Sequence, residues 1–268
     1  MAAIGIGPAT RTSALDRTQQ ALKKTFTQLS TLKRITAARD DAAGLALSEN
    51  LRAAERTFAQ GERNLADGIS LARTAEGGLA GISDSLVRMR ELAVQAGNGA
   101  LDDSARAAIQ TEFDALSAEI TRTAESTRFG SRSLLNGEIA GADAVQLRDG
   151  SESGGVATIS IDSASATSLG VEGLDAADAA TLDALDQAIG TVSSARAELG
   201  STESLLQSGV RNLQNIRENT AAANSRISDA DVAESVAELI KLQVLQQAQV
   251  FVQAQANIQA GLALQLLR

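Results

Sequence analysis

The chain has 268 residues and a net charge of −9, and although 44% of it is hydrophobic it contains only 5 Phe and no Trp or Tyr. With few aromatic side chains to line a ligand pocket and no His or Cys to serve as general base, thiolate nucleophile or zinc ligand, the composition argues against an enzyme, a cofactor binder and a metalloprotein. Lys and Arg are interleaved with acids, so no basic face for a nucleic-acid backbone is expected. Packing falls to aliphatic and small residues, which with Glu, Gln and Arg favour helix, and the single proline, Pro8, lies near the start.

In chain order, residues 1–40 form a first arm with Leu15, Leu22 and Leu29 at intervals of seven. From Gly44 a second repeat of seven runs through Leu51, Phe58, Leu65, Ala72, Leu79, Leu86 and Ala93. A parallel line passes through Leu47, Ala54, Gly61, Gly68, Ala75, Ile82, Met89 and Ala96. Together they predict a heptad helix over about 44–96, roughly 80 Å long. Gly61, Gly68, Gly77, Gly78 and Gly81 each cost about 1 kcal/mol against Ala in a helix, which points to close helix approach. Asp102 or Asp103 caps a shorter helix whose apolar face is Ile109, Phe113, Leu116 and Ile120.

From about 129 to 175, turn signals at Asn136-Gly137, Asp149-Gly150 and Gly154-Gly155 surround Val145, Leu147, Val156, Ile159 and Ile161, predicting short strands in a hairpin region. The repeat of seven returns at Leu185, Val192, Leu199, Leu206 and Leu213, with Ala188, Ala195, Gly209, Ile216 and Ala223 three positions behind. The last arm repeats Val244, Phe251 and Ile258 and continues to Leu262. The expected fold is therefore mainly α: a long antiparallel helical bundle or coiled coil with a small β-hairpin region at its tip and terminal helices that pair. Amphipathic arms with nothing beside them to bury their stripes should be frayed in the monomer and ordered in an assembly.

Asp40-Asp41 and Asp229 with Asp231 make too sparse an oxygen cluster for a hard cation and read better as helix starts or inter-subunit contacts. Adjacent Asp102 and Asp103 do not face a common site, so an acid–base hydrolase has little support. No stretch reaches about 18 uninterrupted apolar residues, so no membrane insertion is expected. Residues 1–8 lack the basic-then-apolar pattern of a signal peptide, so an exported chain would use another route.

Several ordered motifs carry a resemblance over nearly the whole length. Asp40-Asp41-Ala42-Ala43-Gly44-Leu45-Ala46 is followed by Asn64-Leu65-Ala66-Asp67-Gly68-Ile69-Ser70-Leu71, Thr74-Ala75-Glu76-Gly77 and Arg88-Met89-Arg90-Glu91-Leu92-Ala93-Val94-Gln95. Toward the end come Ser225-Arg226-Ile227-Ser228-Asp229-Ala230-Asp231, Leu245-Gln246-Gln247-Ala248 and Ala254-Gln255-Ala256-Asn257. In this order they resemble bacterial flagellin, in a short form without large outer variable domains.

The resemblance implies a self-assembling filament subunit, secreted unfolded by the flagellar type III apparatus and working outside the cell. It implies an inner tube built from arms 1–40 and 225–268, packed through Leu15, Leu22, Leu29, Val244, Phe251, Ile258 and Leu262. An outer tube would come from 41–128 and 181–224, with Leu51, Phe58, Leu65, Leu79, Leu86, Leu185, Val192, Leu199, Leu206 and Leu213 as its core, and 129–180 in place of the variable domains. Implied partners are further copies of the chain, an export chaperone on the C-terminal helix, and the filament cap and hook–filament junction proteins. Arg88, Leu92 and Glu112 match the surface read by the toll-like receptor that detects flagella; their plainer reading is a solvated helix face with salt links. The related hook–filament junction protein and a soluble coiled-coil scaffold are the competing readings.

Overall fold

The structure is a computed structural model that describes residues 8–150 and 155–266, with side chains described between 13 and 259 of these. It contains five long helices: α1 (Pro8–Thr31), α2 (Ala42–Ala96), α3 (Asp103–Ser126), α4 (Ala179–Ser228) and α5 (Val232–Leu266). Between α3 and α4 lie two antiparallel ribbons, β1 (Arg128–Phe129) with β2 (Arg132–Ser133) and β3 (Val145–Arg148) with β4 (Val156–Ile159). The chain divides into a central unit, residues 55–218, and a terminal unit made of the residues up to 54 and from 219 onward.

In the central unit the repeats of seven become buried stripes. Leu65, Ala72, Leu79, Leu86 and Ala93 of α2 face inward with Ala75, Ile82, Met89 and Ala96, and α4 answers with Leu185, Val192, Leu199, Leu206 and Leu213. Phe58 is half-buried against the same core. Arg73 pairs with Glu203 at 2.6 Å, Glu76 with Arg196 at 3.0 Å and Arg90 with Asp186 at 2.7 Å. One index falls as the other rises, so the two helices run antiparallel. Exposed pairs of this kind add little to stability, and their main effect is on register.

The third helix begins where the sequence places it, because Asp102 accepts a hydrogen bond from the Ala105 N–H at 2.8 Å and caps the first turn. Its Ile109, Phe113 and Ile120 turn inward, with Leu116 half-buried.

The segment from 129 to 175 does more than form a hairpin. Leu134, Leu135, Ile139, Ile161 and Val171 from this stretch are fully buried in the core shared by α2, α3 and α4. Gln110 Nε2 donates to the Leu174 carbonyl at 2.9 Å, and the Ala176 N–H donates to Gln110 Oε1 at 2.8 Å. A largely irregular chain is thereby fixed to a helix through satisfied backbone groups.

The glycines of α2 depart from the expectation of helix-to-helix approach. A Cβ on Gly61 would lie 1.9 Å from the Asp149 carbonyl oxygen, one on Gly68 would lie 2.1 Å from Leu147 Cδ1, and one on Gly78 would lie 2.6 Å from Thr127 Oγ1. The close neighbours are thus β3, the turn after it and the residue before β1. Gly77 and Gly81 have nothing within 4 Å of a Cβ. Helix contact is present too: a Cβ on Gly68 would lie 3.4 Å from Leu206 Cδ1 of α4, and one on Gly209 of α4 would come within 2.9 Å of Leu65 Cδ1.

These geometries separate two kinds of glycine by experiment. Gly61→Ala forces backbone apart and should cost about 1–3 kcal/mol. Gly77→Ala and Gly81→Ala gain helix propensity in open space and should each stabilise by about 1 kcal/mol. Urea unfolding followed by circular dichroism measures all three, and a destabilised Gly77→Ala or a neutral Gly61→Ala would contradict the packing described.

Candidate functional site

The terminal unit is organised around a junction that joins two sequence motifs. Asp41 Oδ1 accepts from the Gly44 N–H at 2.8 Å and starts α2, and a Cβ on Gly44 would strike both Asp41 and Ile35. Asp40 Oδ2 accepts from the Thr36 hydroxyl at 2.9 Å and from the Thr36 and Ala37 N–H groups at 3.2 Å, while Oδ1 meets Lys24 Nζ at 3.0 Å. At the other end Asp231 Oδ1 accepts from the Ala233 N–H at 2.8 Å and starts α5.

The two motifs then grip each other. The Arg34 N–H donates to the Ser228 carbonyl at 2.7 Å, the Arg34 guanidinium donates to the Ile227 carbonyl at 2.7 and 3.2 Å, and the Ala230 N–H donates to the Leu32 carbonyl at 3.1 Å. Lys33 forms an ion pair with Asp229, which also accepts from the Ser225 hydroxyl at 2.6 Å. Ser48 donates to Asn224 Oδ1 at 2.6 Å inside the unit. Leu32 sits at φ 55°, a left-handed conformation that ends α1 and turns the chain into this clamp. The paired aspartates therefore act as helix starts and ties. Among the described residues no group of three carboxylates is placed to hold a metal ion.

Two carboxyls in the clamp are held well below their ordinary value. The Lys24 ammonium and the Thr36 hydroxyl lower Asp40 from 3.8 to about 2. The Lys33 ammonium and the hydroxyls of Ser225 and Ser228 lower Asp229 likewise to about 2.

Beyond the clamp α1 and α5 lie antiparallel, Leu22 and Phe26 beside Leu239 and Gln243, and Ala14 and Leu15 beside Leu245, Gln249 and Val252. The most covered side chains of α1 are Thr18 and Thr25, with Leu15, Leu22 and Leu29 half-buried around them. On α5 the covered line passes through Leu242, Gln246, Gln249, Gln253 and Ala256. Gln249 Oε1 is buried without a hydrogen-bond partner. The line of Val244, Phe251 and Ile258 starts two residues after Leu242, about 200° around the helix. It faces solvent, and these side chains are 60%, 72% and 58% exposed. Leu262 belongs to α5, but its side chain lies outside the described residues.

Among the described residues, Ile35 and Leu242 are the sole buried hydrophobic side chains of the terminal unit, while Phe26, Leu32, Val236 and Ile240 are exposed in addition to the line just named. An apolar face of this extent on a soluble chain marks a surface for association.

Leu51 is half-buried, and the other residues expected in the core of the long helices are buried or half-buried. Arg88 donates to Glu112 at 2.8 Å and to Glu91 at 3.1 Å, and both carboxylates raise its pKa, Glu112 the more. Leu92, expected on the same surface, is only 1% exposed and belongs to the core. The interleaving of charge expected along the chain also fails at its start, where the first 39 residues carry seven Lys and Arg against one acid, Asp16. All four lysines, Lys23, Lys24, Lys33 and Lys241, fall in the terminal unit, and every cation of the central unit is Arg.

The chain matches the bacterial flagellin N-terminal helical region over residues 8–140 and the bacterial flagellin C-terminal helical region over residues 182–267. A flagellin of Halalkalibacterium halodurans is 41% identical over 260 residues, covering 95% of this chain and 93% of that relative. One of Bacillus subtilis is 36% identical over 291 residues, 95% of each chain. The crystal structure of Bacillus cereus flagellin superposes with a TM-score of 0.50 at 30% identity, over 60% of this chain and 94% of that one. The chain belongs to the bacterial flagellin family.

Because Asp40 and Asp229 are more acidic in the fold than in the open chain, each stabilises above pH about 4, and that contribution is lost as pH falls from about 4 through about 2. The Asp40→Asn/Asp229→Asn variant should be less stable at neutral pH and should lose less of its melting temperature between pH 5 and 2 than the parent. Parallel thermal scans across that range that gave identical slopes would remove the two carboxylates from the acid response.

Proposed function

We propose that this chain is exported and then polymerises outside the cell into the flagellar filament that drives swimming, acting as a structural subunit without catalytic activity. Membership of the family makes it a filament subunit. The observation that carries the mechanism is in the terminal unit, where the contact between α1 and α5 mixes leucine with threonine and glutamine and leaves the line of Val244, Phe251 and Ile258 facing solvent. Burial of about 25 cal/mol per Å² of that surface against other copies drives assembly and orders the arms. Residues 1–40 and 225–268 form the inner tube, 41–128 and 181–224 the outer tube, and 129–180 occupies the place of larger outer domains.

The same α5 face suits an export chaperone, which shields it before assembly. The filament cap and hook–filament junction proteins meet these arms at the two ends of the polymer. Among the described residues no helix is long and apolar enough to cross a membrane. For the toll-like receptor, burial of Leu92 leaves Arg88 and Glu112 as the groups on offer, already paired with each other. Their primary role is to tie α2 to α3. A receptor reporter assay in which Arg88→Ala monomer is as active as the parent would discard recognition through this pair.

Phe251→Ser and Val244→Ser remove apolar area from the outward face and leave the α1–α5 contact in place. Each should raise the critical concentration for growth from filament seeds by about tenfold to a hundredfold, with monomer helicity unchanged. Electron microscopy of seeded samples measures it, and parent-like growth of both variants would rule the face out of the polymer contact.

A further inference from the structure

We propose that, in the polymer, a basic face on the N-terminal arm of one copy seats on an acidic groove in the central unit of another. The contact rests on the assembly reading above and supplies it with a specific electrostatic joint.

Charge in this chain is segregated. Against the seven cations and one acid of the first 39 residues stands the stretch between Arg148 and Arg196, which holds eight acids and no Lys or Arg. On the terminal unit, Arg17, Lys23, Lys24 and Arg39 line one concave face together with Gln20 and Thr27. Asp40 neutralises Lys24 at 3.0 Å. Arg17, Lys23 and Arg39 have no ion pair among the described residues, although twelve ion pairs are formed among the others.

On the central unit a groove of about 660 Å³ runs between residues 160–164 and α4. Asp162 and Glu198 stand in its lining, which contains no Lys or Arg. Thr191 and Ser194 add hydroxyls, and a Cβ on Gly190 would meet nothing within 4 Å, so the groove stays open at that point. Asp183 lies one turn before the lining residue Gln187 on the same helical face. Asp162, Asp183 and Glu198 likewise have no ion pair among the described residues, whereas nearby Asp186 is held by Arg90 at 2.7 Å. A guanidinium entering the groove finds carboxylates for its charge and hydroxyl oxygens for its remaining N–H groups.

The occupant is a second copy because one chain carries both halves of the match. Copies with a net charge of −9 repel at long range, so a stable polymer needs opposite charges brought together locally. Two different surfaces of opposite charge on identical chains also make a head-to-tail contact, which propagates and does not close into a dimer.

The test uses the full chain and two sets of reversals, Arg17→Glu/Lys23→Glu/Arg39→Glu and Asp162→Lys/Asp183→Lys/Glu198→Lys, with monomer folding checked by circular dichroism. Each set alone should slow growth on parent seeds by about tenfold or more at low salt, with the deficit shrinking as salt screens the contact. An equimolar mixture of the two variants should recover growth as an alternating copolymer, and a chain carrying both sets should grow on seeds made from itself. Parent-like growth of either single set, or no recovery in both the mixture and the doubly reversed chain, would overturn the joint. If the parent itself fails to extend seeds, the assembly reading falls instead.

Discussion

Two paired helices can hide one stripe each, and α1 and α5 use that contact to cover threonine and glutamine among their leucines. Everything distinctive about the terminal unit follows from this choice. Threonines and glutamines interrupt the leucines of that contact, and the valine, isoleucine and phenylalanine of α5 remain exposed. The central unit is built the opposite way. Its leucines and isoleucines interlock among α2, α3, α4 and the irregular segment from 129 to 175, and it encloses a core of its own. One chain thus contains a part that encloses its own core and a part that leaves apolar side chains exposed.

The junction between Leu32–Asp41 and Ile227–Asp231 keeps the incomplete part in order. Its backbone hydrogen bonds, the guanidinium of Arg34 and the Lys33–Asp229 ion pair fix where both arms depart, and the left-handed turn at Leu32 sets the direction of the first. An apolar face presented at random would promote aggregation. Presented from a fixed hinge, it can be repeated identically from copy to copy, as a helical polymer requires.

Much of this was legible in the sequence because long helices with a regular inner stripe announce themselves. The repeat through Leu65, Leu79 and Leu86 and its partner through Leu185, Leu199 and Leu213 located both long helices, and Asp102 located the start of α3. The clamp was not legible, since Lys33 and Asp229 are 196 positions apart and no periodicity links them. The orientation of α5 was hidden for a different reason: its most apolar line, Val244 to Ile258, faces outward, and the inward line is marked by glutamines that pattern reading assigns to solvent. Gly61 and Gly68 looked like helix-packing glycines because sequence cannot say whether a neighbour is a helix or the ribbon that packs there. Leu92 lies one turn from Arg88 on nearly the same side of the helix, but a small rotation about the axis puts it under the packing of the core while Arg88 stays at the solvent edge.

The distribution of lysine has a practical meaning for anyone handling the protein. Reagents that acylate side-chain amines, and the aldehyde fixatives that bridge them, have their only targets on the hinge and arms, because the central unit offers guanidinium groups alone. Dye uptake therefore reads how accessible the arms are and is blind to the central unit. A labelled sample thus carries at most four dyes on side chains, all of them in the terminal unit.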